Sequence, residues 1–338
     1  MKEVQAMKRN MKQWVADNIH TGVKKPLPIL SFPSVQLMGI SVRELINDSS
    51  LQAEGMKRIA DRVDSAAAVS LMDLSLEAEA FGSKIHVSDD EVPTVTGAIV
   101  TDEDEAEALQ VPAVGAGRTG IYLDAIRKAT ELITDRPVFA GIIGPYSLAG
   151  RLMDVSEIMI LCYEEPEMVH AVMEKVTDFL IAYCRAYEQA GANGVMIAEP
   201  LAGLLSPSLA REFAHPYVRK LIEAVQHEEF AVFYHNCGDN VPLMAKDIYA
   251  FGAMGYHFGD AICLKDMFPD APADALVMGN VSPSAQFLGG TPDSIREATH
   301  RVMTECGEYP NFLISSGCDI PPASPWENID AFFQAAKE

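Results

Sequence analysis

Two short stretches of the sequence place soft metal ligands directly after apolar runs. In "FYHNCGD", residues 233–239, His235 and Cys237 end such a run, and in "LISSGCD", residues 313–319, Cys318 does the same. Alternate residues of an extended segment point the same way, so His235 and Cys237 can face one ion. Thiolates combined with imidazole select zinc over magnesium or calcium. The pattern predicts a zinc site with His235, Cys237 and Cys318 as ligands.

A simpler interpretation is that His235 and Cys237 are polar side chains buried at a strand end and bind no metal. A second cysteine, Cys318, after another apolar run favours the metal. Three firm ligands with a replaceable fourth group are typical of a catalytic zinc ion, whereas a structural ion is closed by four protein ligands. The predicted zinc is therefore a catalytic one.

Glu199, in "MIAEP", is the candidate for the replaceable fourth position and for a catalytic role. A carboxylate is a harder ligand than a thiolate and is more easily displaced from zinc, so Glu199 would bind weakly or yield to a substrate. The alternative is a structural carboxylate. His257, in "YHFGD", is expected to hydrogen-bond in the core or behind a ligand instead of binding the metal.

Three further polar residues are predicted to contact the substrate. Asp260 ends the "YHFGD" stretch, Asn280 lies in "GNVSP", and Tyr146 lies in "GPYSLAG". Asp260 and Asn280 each follow an apolar run, as the predicted metal ligands do.

Apolar runs rich in strand-forming residues recur along the chain, separated by segments with helical periodicity. The predicted strands lie near residues 28–32, 67–73, 137–143, 193–199, 231–236, 253–258, 275–280 and 311–316. Strands that are apolar throughout indicate a parallel sheet covered on its outside by helices, and eight such strands close a barrel. We therefore predict an α/β fold, a single (β/α)8 TIM barrel, with a doubly wound open sheet as the alternative. The strand ends that bear the candidate ligands would then share one face.

The barrel is predicted to form one domain over residues 1–338, with residues 1–25 as a helical N-terminal extension. A long helix is expected between Pro166 and Gly191, where apolar residues recur on one face. Residues 82–100 do not fit the strand–helix repeat and predict a hairpin inserted after the second strand.

Composition excludes two classes of partner. The chain has 26 Lys and Arg against 48 Asp and Glu, a net charge of −22, which repels nucleic acid and anionic lipid surfaces.

No apolar run approaches the roughly 20 residues of a membrane span, and the N-terminus lacks an apolar signal core, so a cytoplasmic location is expected. The cysteines should be reduced there, and four are expected to be small core residues: Cys162, Cys184, Cys263 and Cys306.

The order of several motifs resembles the uroporphyrinogen decarboxylase superfamily, and within it the zinc-dependent methylcobamide:coenzyme M methyltransferase branch. The motifs are "GPYSLAG" (144–150), "MIAEPLAGLLSP" (196–207), "YHNCG" (234–238), "MGNVSP" (278–283) and "SSGCDIPPASPWENI" (315–329). The resemblance extends from about Asp73 to Trp326. It implies a TIM barrel with zinc at the positions matching His235, Cys237 and Cys318. It also implies transfer of a methyl group from a methylated corrinoid protein to a small-molecule thiol.

The sequence departs from the decarboxylases at the region that grips a tetrapyrrole. They carry an Arg-Gln-Ala-Gly-Arg stretch after the first strand, whereas here residues 31–44 read "SFPSVQLMGISVRE", with Arg43 as the only cation. A tetrapyrrole decarboxylase is thus disfavoured. A non-catalytic corrinoid- or metal-binding module is the other alternative. The N-terminus also departs from the methyltransferases, which leaves coenzyme M, another thiol and a folate open as methyl acceptors.

Overall fold

The structure, a computed structural model, describes residues 9–338 and is built on one parallel sheet. The sheet has seven strands in chain order, and a separate antiparallel pair follows the first of them. The parallel strands are β1 (Ala68–Val69), β4 (Val138–Ile143), β5 (Gly194–Ala198), β6 (Ala231–Asn236), β7 (Gly255–Phe258), β8 (Leu276–Val281) and β9 (Phe312–Ser316), and the antiparallel strands are β2 (Lys84–His86) and β3 (Thr94–Thr96).

Helices precede β1 and connect the later strands. They are α1 (Met11–His20), α2 (Ser34–Met38), α3 (Val42–Asn47), α4 (Ser49–Arg62), α5 (Leu76–Ala80), α6 (Glu103–Ala108), α7 (Thr119–Leu132), α8 (Pro145–Met153), α9 (Glu157–Glu164), α10 (Pro166–Gln189), α11 (Pro207–Phe213), α12 (His215–Val225), α13 (Ala245–Tyr249), α14 (Pro292–Cys306) and α15 (Trp326–Ala335). Short 3-10 segments cover Leu201–Leu204, Val241–Met244 and Leu264–Asp270, and a π-helical turn covers Pro283–Leu288.

The longest described helix, α10, begins at Pro166 as predicted and ends at Gln189, two residues before the predicted stop. Proline is favoured in the first helical turn because its missing N–H has no partner there. Its buried residues recur every three or four positions, so one face packs on the sheet. No helix among residues 9–338 is both long enough and apolar enough to cross a bilayer.

The register of the sheet aligns the candidate site residues. β4 and β6 are buried at every position, as expected for strands covered on both faces. Ala198 pairs with His235, and His235 pairs in turn with His257. Asn280 pairs with Ser315 at the far side of the sheet. The carboxyl ends of all these strands therefore meet at one end of the molecule.

The first predicted strand, residues 28–32, is not a strand in the structure, and this prediction was wrong. The physical reason is proline: Pro28 has no N–H to donate to a ladder. The preceding residue still behaves like a strand residue, because the N–H of Leu27 donates to the carbonyl oxygen of Ile314 in β9 at 3.0 Å. The segment lies extended beside β9 without forming a regular ladder.

The same extended segment also contacts the other edge of the sheet. The N–H of Ala66, two residues before β1, donates to the carbonyl oxygen of Pro26 at 2.8 Å. On the β9 side the N–H of Ile29 donates to the Oγ of Ser316 at 3.1 Å. The segment thus lies between β9 and the start of β1, where a closing strand was predicted.

Helix α1 covers the amino ends of the strands, opposite the candidate site. Trp14 packs beside two stacked rings of the sheet interior, with centroids 6.2 Å from Phe139 and 6.3 Å from Phe233. The buried face of α1, which includes Met11 and Val15, belongs to the same apolar cluster. The predicted N-terminal helical extension falls on residues 1–25, of which residues 1–8 lie outside the described part.

The antiparallel pair β2–β3 lies within the stretch predicted to form a hairpin. Lys84 pairs with Thr96 and His86 pairs with Thr94. The connection between the strands is bound to α3, since Arg43 donates to the Oδ1 of Asp89 at 2.7 Å. The one cation in the region that differs from the decarboxylases is therefore already engaged by a carboxylate of this chain.

Candidate metal centre

Strands β6 and β9 bring His235, Cys237 and Cys318 together. His235 is the fifth of six residues of β6, Cys237 follows that strand directly, and Cys318 comes two residues after β9. One ligand atom from each residue lies within 4.8 Å of the other two, and the Nε2 of His235 is 3.4 Å from the Sγ of Cys318. Zinc bonds of about 2.0–2.3 Å place tetrahedral ligand atoms roughly 3.3–3.8 Å apart. The donor types fit zinc, and the distance between His235 and Cys318 falls within this range.

Each of the two thiols shifts the pKa of the other. Cys318, aided by His235, lowers the pKa of Cys237 well below its usual range, although burial opposes the shift. Cys237 in turn raises the pKa of Cys318 well above its usual range, and burial adds to the effect. Cys237 is therefore the more acidic of the two thiols and the readier ligand for a soft divalent cation.

Glycines hold the loop of Cys237 in close contact with its neighbours. A Cβ on Gly259, which follows β7, would lie 2.5 Å from both the Cα and the Cβ of Cys237. A Cβ on Gly238 would lie 2.5 Å from the backbone of Gly203. The side chain of Asn236 accepts the N–H of Gly238 at 3.0 Å and thereby turns the chain after the cysteine. The backbone of Gly259 thus packs against the Cα of Cys237 and fixes its position.

We expect Gly259→Ala to displace Cys237 and weaken zinc binding by at least about tenfold, since overpacking forces the backbone to move. The folded protein should lose roughly 1–3 kcal/mol of unfolding free energy for the same reason. Isothermal titration of metal-free protein with zinc measures the first effect, and urea unfolding measures the second. Gly22→Ala is the matched control, because a Cβ at Gly22 has no atom within 4 Å. Equal zinc affinity in the two variants would contradict this account of Cys237.

His257 lies behind His235, as expected for a residue that hydrogen-bonds without binding the metal. Its Nδ1 is 2.8 Å from the Nδ1 of His235, and its Nε2 is 2.7 Å from the Oγ of Ser315. Burial, together with the neighbouring His235, lowers the pKa of His257 well below its usual range. The ring is therefore neutral at physiological pH.

The carboxylate of Glu199 binds the start of α8. Its Oε1 accepts from the N–H of Ser147 at 2.6 Å and from the hydroxyl of Ser147, while its Oε2 accepts from the N–H of Tyr146 at 3.0 Å. Burial raises the pKa of Glu199 to about 7 against the opposing effect of these bonds. Its backbone N–H donates to the carbonyl oxygen of His235 at 2.8 Å. Glu199 thus neighbours the ligand residue in the sheet, and within the described chain the cluster of potential metal ligands does not include it.

The three predicted substrate contacts occupy different surroundings. Tyr146 is fully buried and its hydroxyl lies 3.6 Å from the Sγ of Cys162. The amide of Asn280 donates to two backbone carbonyls, while Asp260 is exposed. Asp260 and Asn280 line one cleft of about 460 Å³ together with Cys263. The structure brings these two together, and Tyr146 is not among the residues that line their cleft.

Cys263 corrects one expectation from the sequence. It is exposed, whereas Cys162, Cys184 and Cys306 are buried as predicted. Cys263 lies in the turn that connects β7 to the following 3-10 segment, and it lines the cleft that also contains Asp260 and Asn280. The prediction that Cys263 is a buried core residue was therefore wrong, although its neighbours in the sequence are apolar.

A buried ionic network at the end of β1 was not anticipated. The Oδ2 of Asp73 accepts from Arg118 at 2.6 Å and from the hydroxyl of Tyr122 at 2.8 Å. Arg118 also donates to Glu79 at 2.7 Å and to Ser75 at 3.2 Å. The one signal in the sequence was that Asp73 ends a predicted strand, the position that singled out Glu199.

Comparison of the sequence with known families and proteins gives related enzymes of two kinds. The profile of the family described as uroporphyrinogen decarboxylase (URO-D) matches residues 33–338. A methylcobamide:CoM methyltransferase of Methanosarcina acetivorans is 28% identical over 272 residues, which cover 78% of this chain and 77% of the relative. A uroporphyrinogen decarboxylase of Desulfotalea psychrophila is 26% identical over 306 residues, which cover 88% of each chain.

Solved structures share the fold. A methyltransferase from Methanosarcina mazei superposes with a TM-score of 0.85 over 98% of both chains at 24% identity. A B12-independent methionine synthase from Shewanella sp. W3-18-1 superposes with a TM-score of 0.60 over 93% of this chain and 94% of the other at 9% identity. With the family profile matched from residue 33 to residue 338, the chain belongs to the uroporphyrinogen decarboxylase family.

Proposed function

We propose that this chain is a zinc-dependent methyltransferase that moves a methyl group from a methylated corrinoid protein to a thiol such as coenzyme M. The observation that carries the proposal is the convergence of His235, Cys237 and Cys318 within 4.8 Å at the carboxyl ends of the strands. That end of a parallel α/β barrel is where such enzymes place their chemistry. The methylcobamide:CoM methyltransferases among the relatives support the same reaction class.

His235, Cys237 and Cys318 would hold the zinc ion and leave one position for the substrate. Bound there, zinc would remove the proton of the incoming thiol and keep its sulfur nucleophilic at neutral pH, where a free alkyl thiol with a pKa near 8.5 is mostly protonated. The protein's own part is to supply two cysteine sulfurs and one imidazole nitrogen already in place. The low pKa of Cys237 means that little free energy is needed to deprotonate the first ligand.

The remaining predicted residues have supporting roles in the proposal. Glu199 holds the start of α8 beside the metal ligands, and its displacement toward the metal as a fourth ligand stays a prediction. Asp260 and Asn280 would contact the thiol or the corrinoid from their shared cleft. Tyr146, buried beneath the same end of the barrel, would act through packing. We also propose that residues 1–338 form one cytoplasmic TIM-barrel domain in which the extended segment around Leu27 takes the place of the eighth strand.

Decarboxylation of a tetrapyrrole is the weaker candidate. A polyanionic substrate needs cations, and the arginine in the relevant region, Arg43, is paired with Asp89. Two cysteine side chains beside an imidazole also have no role in binding carboxylates. The other alternative is a non-catalytic corrinoid- or metal-binding module. Such a module would use the same metal ligands but would not catalyse methyl transfer.

The test is an assay of the purified protein with methylcobalamin and coenzyme M, with zinc measured by elemental analysis. We expect about one zinc per chain, methyl transfer that a chelator abolishes, and recovery on adding zinc. Zinc K-edge absorption should show two sulfur neighbours at rest and three with saturating thiol.

Two outcomes would contradict the proposal. Zinc binding without methyl transfer to coenzyme M, another thiol or a folate, even with corrinoid proteins as donors, would favour a binding module. Absence of zinc together with release of CO2 from uroporphyrinogen would favour the decarboxylase.

A further inference from the structure

A chain of three hydrogen bonds runs from the candidate metal centre to the backbone. The Nδ1 atoms of His235 and His257 are 2.8 Å apart, and the Nε2 of His257 lies 2.7 Å from the Oγ of Ser315. The Oγ of Ser315 lies in turn 2.7 Å from the carbonyl oxygen of Leu27. His235, His257 and Ser315 are at most 1% exposed, so water does not compete for these bonds.

The direction of the chain follows from its last member. A carbonyl oxygen only accepts, so the single hydroxyl hydrogen of Ser315 points to Leu27. The Oγ of Ser315 must then accept from His257, which places the proton of that ring on Nε2. Two ring nitrogens 2.8 Å apart need one donor and one acceptor. With the single N–H of the His257 imidazole directed at Ser315, the Nδ1 of His257 is bare and accepts from the Nδ1 of His235.

The consequence falls on the ligand atom of His235. With its proton held on Nδ1, the neutral ring has a lone pair on Nε2, the nitrogen that lies 3.4 Å from the Sγ of Cys318. The opposite tautomer would point an N–H at the cysteines and could not bind a metal. An imidazole without such partners exchanges between both forms, and only one of them is competent.

We infer that His257 and Ser315 are positioning residues that fix His235 in the metal-binding tautomer, with the carbonyl oxygen of Leu27 as the anchor. The inference rests on the proposed metal site. Leu27 belongs to the extended segment beside β9, so this segment sets the protonation of a ligand as well as covering the sheet edge. The usual partner behind a metal-binding histidine is a carboxylate or a carbonyl oxygen, and here a second histidine transmits that role.

The direct test is the tautomer of each ring in the full-length, metal-free protein. Long-range 1H–15N correlation spectra of 15N-histidine protein distinguish protonated from bare ring nitrogens. For His235 we expect a protonated Nδ1 and a bare Nε2, and for His257 the reverse. A protonated Nε2 on His235, or an equal mixture of its tautomers, would overturn the inference.

Variants separate positioning from packing. Ser315→Ala removes the acceptor and should weaken zinc binding about 10- to 100-fold while mixing the tautomers of His235. Ser315→Thr keeps a hydroxyl and should restore both properties. Ser316→Ala is the matched control, because the Oγ of Ser316 accepts from Ile29 outside the chain of bonds. His257→Gln, whose amide can accept from His235 and donate to Ser315, should retain more zinc affinity than His257→Phe.

The outcomes distinguish this inference from the proposed function. If the spectra show the expected tautomers but no variant and no wild-type protein binds zinc, the proposed function fails and the tautomer assignment stands. If the wild type binds zinc and Ser315→Ala binds it equally well with an unchanged His235 spectrum, the positioning role is wrong and the metal site stands.

Discussion

Replacement of Cys318 by alanine is expected to abolish zinc binding and thiol methylation while the protein still folds. Cys318 is one of three ligand residues within 4.8 Å, and loss of a ligand should cost more than the roughly 10- to 100-fold in affinity that a partner behind a ligand contributes. The residue lies on the loop after β9 and is only half-buried, so it is not part of the apolar core that holds the sheet. Elemental analysis, the methylcobalamin assay and circular dichroism measure the three properties.

Cys263→Ala is the matched control for Cys318→Ala. Cys263 is an exposed cysteine at the same end of the sheet and lies outside the ligand cluster. The Cys263→Ala variant should keep its full zinc content, which is the property that this control tests. Full zinc occupancy in Cys318→Ala would rule out the assigned ligand set. Collapse of the fold in that variant would instead identify the metal as structural.

The convergence of the three candidate metal ligands could be predicted from the sequence, because their positions depend only on where parallel strands end. His235 and Cys318 are 83 residues apart, yet both follow buried apolar runs whose carboxyl ends share one face. The two-residue alternation of an extended chain then placed Cys237 beside His235. Neither step needed the details of side-chain packing.

Contacts that depend on loops could not be predicted in this way. Glu199 follows a strand as the ligands do, but its carboxylate is held by the N–H groups at the start of α8, whose position only the folded chain defines. The segment around Pro28 has the apolar composition of a strand. Because proline has no backbone N–H to donate, the segment does not form a regular hydrogen-bond ladder with the sheet. The link between Ser315 and Leu27 joins residues 288 apart with no motif at either end.

The ionic network of Asp73 shows the same limit, because its partner lies on a separate loop. Arg118 directly precedes α7, and its side chain is 7% exposed where it meets the fully buried carboxylate of Asp73 at 2.6 Å. The sequence showed that Asp73 is a polar residue at the end of a predicted strand, but it did not show that Arg118 is its partner. Removing either charge from such a pair leaves the other uncompensated in a medium of low polarity.

We therefore expect Arg118→Met to destabilise the protein by about 3–5 kcal/mol, the cost of leaving one partner of a buried ion pair. Asp73 would keep its bonds from Tyr122 and Ser75 but lose its counter-charge. Adding Asp73→Asn removes the orphaned charge and should recover part of the loss. The measurement is the free energy of unfolding in urea for the wild type, the single variant and the double variant.

Arg127→Met provides the comparison for this last prediction. Arg127 pairs with Asp124 at 3.0 Å on the surface, with its side chain 59% exposed, and such pairs contribute about 0–1 kcal/mol. The two variants remove the same chemical group and differ in burial and in the number of partners. If Arg118→Met costs no more than Arg127→Met, the ion pair between Arg118 and Asp73 does not stabilise the folded protein. The network would then not be what fixes the loop before α7 to the end of β1.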